Sequence, residues 1–353
     1  VSDLAAYRIE VEAWRGSVIE SRHVVFAAAS GAGAAAPPGG VDPASLPVAF
    51  LRSAAKPFQL LPLLAAGGRE RFALADADLA IMAASHDGTD AHAARVGAIL
   101  ERMGLGPEHL QCGSHRPYFL EALPPDHPQR LRLFGPLHDN CSGNHAGMLG
   151  LALMLGIDPG RYLDAQGTGQ VRVHAVVEAL CGTRPELAVD NCGAPCYALP
   201  LAAMAEGYRL LAAPEAVHGL PPARRALLET VAPPARIEDE LRRTAAAMAS
   251  HPEWVSGDGT PETRLSRLRP GELVLKTGAE AILCVAHRRG GAALALKVVD
   301  GSARALVPAV VSLLGGLGWL SADDRSRVAD LEAPPLHGRA GRVVGRLRCA
   351  ATP

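Results

Sequence analysis

Strand patterns stand at both ends of this chain and helix patterns fill the middle, an order that few folds accommodate. Residues 7–14 alternate partially between apolar and polar side chains. Gly16-Ser17 offers a turn, and residues 18–26 continue in strand fashion. Residues 27–47 are rich in Ala, Gly and Pro and read as a loop. Helical periodicity dominates residues 53–157, with 90–103 as an example. It continues over about 162–180, 200–211 and 238–249. Strand signals return at 272–275, 281–285 and 292–299, with 342–347 as a last segment. The economical arrangement is an α+β fold, with one antiparallel sheet assembled from both chain ends and a helical lobe between them. The sheet lobe is expected over roughly 1–50 and 260–353 and the helical lobe over roughly 51–259, as a single catalytic unit.

The 353 residues suffice for a large core, and 48% apolar content fits a globular protein. A formal net charge of −1, with arginines dispersed among carboxylates, gives no electrostatic case for nucleic acid or an anionic membrane surface. Residues 1–14 mix charge with apolar side chains and show no signal-peptide pattern, so a cytoplasmic location is expected. The uncharged stretch 305–322 contains Pro308 and glycines 315, 316 and 318, and reads as a buried helix and not a membrane span. Seven cysteines, an odd number, suit reduced thiols better than a disulfide framework.

Only three lysines occur, Lys56, Lys276 and Lys297, against thirty-two arginines. Arginine stays protonated in proteins, whereas a buried lysine can lose its proton and act as a base. Two of the three lie in suggestive company. Arg52-Ser53-Ala54-Ala55-Lys56-Pro57 holds an S-x-x-K pattern, and Lys276-Thr277-Gly278 is a K-T-G pattern. Active-site serine acyl-transfer enzymes use this pair of motifs. A helix beginning near Ser53 would put its hydroxyl beside the Lys56 amine, with Pro57 tolerated in the first turn. A serine hydroxyl needs an adjacent base, and a lysine kept neutral can supply one, so Ser53 is expected to be the nucleophile that forms an acyl-enzyme and Lys56 the base that takes its proton. Lys276 is expected either to be the neighbouring cation or to pair with a second serine, Ser85, in Ala84-Ser85-His86-Asp87. His86 and His92 suit ligands, bases or hydrogen-bonded structural residues.

Two glycine-containing turns carry further polar groups. One is Asp139-Asn140-Cys141-Ser142-Gly143-Asn144-His145, the other Asp190-Asn191-Cys192-Gly193. Cys141, His145 and Cys192 are plausible zinc ligands if the turns meet, although their spacing matches no standard zinc signature and better suits buried thiols.

The ordered set of these motifs, together with His251-Pro252-Glu253 and Lys297-x-x-Asp300-Gly301, resembles the rhizobial-type L-asparaginases over nearly the whole chain. The resemblance implies a fold like serine β-lactamases and glutaminases, a homodimer, and hydrolysis of L-asparagine to aspartate and ammonia. It implies two Ser-Lys pairs, Ser53 with Lys56 and Ser85 with Lys276. It implies substrate contacts from Arg52, His86, Asn144, His145 and Asp190, and zinc on Cys141 and Cys192. Asn144 stands where the resemblance expects a lysine, so a weak or partly filled zinc site is expected, completed by His145, Asp190 or water. Two other classes share parts of the pattern. A penicillin-recognising enzyme would share S-x-x-K and K-T-G, but Ser85-His86-Asp87 departs from the usual S-D-N. A non-catalytic amino-acid-binding zinc module would bind asparagine without releasing ammonia.

Overall fold

The computed structural model describes residues 4–31, 40–124 and 126–350. Among the described residues ten strands form two sheets: β1 Leu4–Arg15, β2 Val18–Ser30, β3 Val48–Phe50, β4 Glu186–Val189, β5 Pro195–Pro200, β6 Leu273–Gly278, β7 Ile282–His287, β8 Ala292–Val298, β9 Pro335–His337 and β10 Val343–Cys349. The larger sheet has the order β6-β7-β8-β2-β1-β10-β9, and every pairing in it is antiparallel. It is drawn from both chain ends, as the α+β reading expects. The longer helices are α1 Lys56–Ala65, α2 Asp76–Met82, α3 Asp90–Arg102, α4 Ser142–Met154, α5 Thr168–Cys181, α6 Leu201–Ala212, α7 Pro234–Ser250, α8 Pro261–Leu268 and α9 Leu306–Gly316. Residues 305–322 thus contribute the buried helix α9. Among the described residues no helix is long and apolar enough to cross a membrane.

Two-residue alternation divides the sheet between two cores. Ile282, Cys284, Ala286, Ala293 and Ala295 face the larger core with α1, α4 and α6. Leu283, Val285, Leu294, Leu296 and Val298 face the other core with α9. Small side chains on the first face let α6 approach the sheet closely. This explains one departure from the sequence reading. Residues 27–30 were expected in a loop, yet they belong to β2 and pair with residues 293–296 of β8. Ala28 lies in the larger core and Ala27 and Ala29 in the other, so packing overrides a weak strand propensity. Most of the expected loop that follows, 32–39, lies outside the described residues.

The small sheet β3-β5-β4, whose strands β4 and β5 lie inside the expected helical lobe, is a second departure. Pro195 and Pro200 bracket β5 and hide its strand signal. The described residues of 113–124 and 126–139, read as helical, form short 3₁₀ turns and loops instead.

Helix signals in the site region are local and legible. Thr89 caps α3 by accepting from the His92 N–H, and His92 Nδ1 accepts from the Thr89 N–H in return. His92 Nε2 then donates to the Glu253 carbonyl. His92 is therefore a capping residue and neither a ligand nor a base. Gly143, in the first turn of α4, lies against α2: a Cβ there would sit 2.3 Å from the Ile81 carbonyl oxygen. This close crossing carries the residues after α2 to the start of α4. Gly143→Ala is expected to cost about 1–3 kcal/mol through overpacking. Urea unfolding should show it as a lower midpoint with an unchanged slope.

Candidate active site

A cavity of about 570 Å³ opens where the small sheet, the start of α4, the segment after α2 and the edge strand β6 converge. Ser53, Ser85 and Lys276 line it, together with Arg52, Cys141, Asp190 and Cys192. The two lysine motifs, more than two hundred residues apart in the chain, thus meet at one place.

The helix does not begin where the S-x-x-K pattern suggests. Arg52–Ala55 is a 3₁₀ turn, and α1 starts at Lys56 with Pro57 in its first turn. Only the Lys56 backbone N–H bonds to Ser53, at its carbonyl. Ser53 Oγ makes no side-chain hydrogen bond among the described residues, so the expected contact of its hydroxyl with the Lys56 amine is not formed. The Lys56 amine turns inward instead, 3.0 Å from Ser85 Oγ and 3.1 Å from Cys141 Sγ. Lys276 Nζ reaches the same Ser85 Oγ at 3.0 Å and also donates to the Thr277 carbonyl at 2.7 Å. Ser85 is fixed from its backbone: its N–H donates to the Val255 carbonyl, and the next N–H, of His86, donates to the Asn140 carbonyl.

Both lysines are buried, and two charges within 3.0 Å of one oxygen are at most about 6 Å apart. Their repulsion is then about 3 kcal/mol at an effective dielectric near 20, or about two pK units. Burial, and then the charge on Lys56, push Lys276 down to about 7. Burial also works against the charge on Lys56, but Cys141, Cys192 and Asp139 outweigh it and hold this amine above the usual lysine range. The pair is therefore polarised into a permanent cation and an amine that loses its proton near neutrality. Ser85 sits between them and can turn its O–H toward the neutral Lys276.

Arg52 and Asp190 close one wall by a two-point ion pair, Nε–Oδ2 at 3.0 Å and Nη2–Oδ1 at 2.9 Å. Burial raises the Asp190 carboxyl, but Arg52 outweighs it and the net shift is downward. Arg52 takes φ +50°, a left-handed conformation that costs a side-chain-bearing residue free energy.

Three residues expected from the sequence to touch substrate lie behind the cavity. His86 is fully buried, its Nδ1 accepting from the Gly88 N–H and its Nε2 3.0 Å from Ser142 Oγ. Burial, with His92 and Lys56 nearby, keeps it neutral. His145 is also buried, with its Nδ1 2.6 Å from the Tyr162 hydroxyl, whose oxygen accepts from the Gln111 N–H. Asn144 Nδ2 donates to the Met82 carbonyl. None of the three lines the cavity. They hold Ser85, Cys141 and the ends of α2 and α4 in register.

The chain matches the L-asparaginase II family over residues 11–349. It belongs to that family. No curated protein matches it. Among solved structures, "Crystal structure of putative beta-lactamase from Bacteroides dorei DSM 17855" is similar over 87% of this chain and 94% of that chain, at 11% identity and a TM-score of 0.34. Family membership makes the chain an asparaginase-type amidohydrolase.

Cys141 and Cys192, on which the resemblance places zinc, both line the cavity. The thiols face each other, and the Cys192 S–H and then the Lys56 ammonium lower the Cys141 pKa while that of Cys192 rises. Lys56 already places a positive charge 3.1 Å from Cys141 Sγ. Asp190 is committed to Arg52, and His145 Nδ1 to Tyr162. Among the described residues no group of three or more His, Cys, Asp or Glu side chains is arranged to hold a metal. No step of the chemistry below passes through one.

Sequence reasoning missed Asp87, Glu262 and Thr277 on the opposite wall of this asparaginase-family cavity. Thr277 Oγ1 donates to Glu262 Oε1. Burial, then Glu262 and Glu121, push Asp87 up to about 7. Thr277 and Asp87 adjoin Lys276 and Ser85 and were within reach of motif reading. Glu262 has no local signal, because only the docking of α8 on β6 brings it in.

The asymmetry of the lysines sets the expected pH dependence. Lys276 must be unprotonated to act as a base, so kcat/KM should fall about tenfold per pH unit below about 7 and level off above it. Lys276→Arg should remove this limb and cost at least about 10²-fold in rate. Lys56→Arg keeps a cation and should be the milder change. Equal losses in the two variants, with the acid limb retained in Lys276→Arg, would contradict these assignments.

Proposed function

We propose that this chain hydrolyses the side-chain amide of L-asparagine to aspartate and ammonia through a serine acyl-enzyme. The observation that carries the reading is the Ser85 hydroxyl held 3.0 Å from each of two buried lysine amines. Neutral Lys276 takes the Ser85 proton as Oγ attacks the amide carbon, and the Lys56 ammonium stabilises the developing oxygen charge. Lys276 then returns the proton to the departing ammonia. In the second half Lys276 takes a proton from water as it attacks the ester, freeing aspartate and restoring Ser85. Asp87 and Glu262, which have no ion-pair partner among the described residues, suit the α-ammonium of an amino-acid substrate.

A second assignment of the nucleophile has its own support. Ser53 lines the same cavity and directly follows the strained Arg52. In that variant Ser53 attacks, and Ser85 passes the proton between Ser53 and Lys276. Both versions keep Lys276 as the base.

Ammonia release from asparagine and glutamine, with the absorbance change of a chromogenic β-lactam followed in parallel, tests the reaction class, and asparagine is expected to be the one turned over. Ser85→Ala should lose at least about 10²-fold in rate under either version. Mass spectrometry of quenched enzyme should find the acyl group on the Ser85 peptide, whereas an adduct on the Ser53 peptide would select the second version. Near-normal release by Ser85→Ala would sink both. Asp87→Asn should raise KM for asparagine more than it lowers kcat, because it weakens binding of a group remote from the reacting bond.

A further inference from the structure

The third lysine, Lys297, lies outside the cavity. It sits on β8 between Phe26 of β2 and Ile282 of β7. Its Nζ donates to the Glu280 carbonyl at 2.7 Å and to the Val298 carbonyl. Glu280 and the buried Ala281 form the tip of the β6–β7 hairpin, with φ of +61° and +53°. Two consecutive left-handed residues in a hairpin loop are normally Gly, Asn or Asp. Here neither is, so the loop is held against its own preference. The hold comes from β8: Lys297 bonds the carbonyl of Glu280, and the Val298 N–H donates to the Ala281 carbonyl at 3.1 Å.

The same hairpin shapes the cavity. Lys276, Thr277, Gly278 and Ala279 all line it, and β6 is the edge of the sheet. Gly278 pairs with Ile282 at the base of the loop. Its α-carbon packs so closely on the turn before Ser53 that a Cβ would sit 3.0 Å from Arg52 Cβ and 3.0 Å from the Leu51 carbonyl oxygen. A shift of the loop is therefore transmitted both to the Lys276 strand and to the Ser53 turn.

We infer that Lys297 is a positioning residue, whose ammonium clamps the strained Glu280-Ala281 loop and so fixes the cavity edge formed by Thr277, Gly278 and Ala279. The clamp needs one compact donor aimed at two carbonyl oxygens from adjacent segments, which an ammonium supplies and a planar guanidinium does not. The catalytic half of this inference rests on the asparagine-hydrolysing reading above, and the loop half does not.

The test uses the whole chain and Lys297→Met, which keeps the length of the side chain and removes the donor. Amide hydrogen exchange over residues 277–281 should speed up at least about tenfold, with the rest of β7 and β8 unchanged. With asparagine, kcat should fall by about tenfold or more while KM changes little and the acid limb near neutrality stays in place, as expected when geometry and not the base is lost. Adding Ala281→Gly, which accepts positive φ without strain, should slow the exchange again and recover part of kcat. Unchanged exchange and kcat in Lys297→Met would overturn the clamp. So would losses that Ala281→Gly does not relieve at all, since these would mean a general packing defect. If the wild-type chain releases no ammonia from asparagine, the functional reading fails, and exchange at 277–281 still decides whether Lys297 holds the loop.

Discussion

One oxygen atom between two buried amines organises this active site. Ser85 Oγ cannot be approached by two lysines at 3.0 Å unless one of them yields its charge. Which one yields is decided by neighbours. Lys56 has the Cys141 sulfur at 3.1 Å, with Cys192 and Asp139 also nearby, and keeps its proton. Lys276, buried with little such support and repelled by Lys56, falls to about 7. The Cys141 sulfur beside Lys56 thus favours the charge of the first lysine, which in turn lowers the basicity of the second.

The rest of the fold serves to bring these groups together and keep them rigid. Lys276 stands on the edge strand of the large sheet, Lys56 at the start of α1, and Ser85 just after α2. Backbone bonds to Val255 and Asn140 lock the Ser85 segment, and the neutral His86 beneath it uses both ring nitrogens internally. Close backbone approaches at Gly143 and Gly278 draw α4 toward α2 and the β6 edge toward the Ser53 turn. Strain is stored at Arg52, which lines the cavity, and at Glu280 and Ala281, which follow its lining residue Ala279, and is opposed by an ion pair in the first case and by Lys297 in the others.

Residue chemistry in the sequence pointed to the correct region more often than to the correct contact. His86, Asn144 and His145 stand in motif segments and belong to the site's supporting layer, yet they do not line the cavity. A motif marks residues that must be near one another. It does not distinguish a side chain aimed at the cavity from one aimed behind it, because that depends on helix phase and on where the flanking chain turns. The S-x-x-K spacing illustrates this: three residues apart is one helical face, but a 3₁₀ turn intervenes and the lysine amine rotates away from its own motif serine.

The sequence by itself determined the antiparallel sheet from both chain ends, the helical middle, and the unusual status of the lysines, because periodicity and residue scarcity are local properties. It also placed Ser53, Ser85, Cys141, Asp190 and Cys192 in segments that prove to share one cavity. Only the tertiary structure decided that both lysines converge on Ser85, that the proton affinity of Lys56 is raised while that of Lys276 is lowered, and that Glu262 faces the same space. Strand assignment for residues 27–30 and the small β3-β5-β4 sheet likewise emerged only in three dimensions. Proton affinity and strand pairing depend on distances between residues far apart in the chain and on burial, and neither quantity exists until the chain has folded.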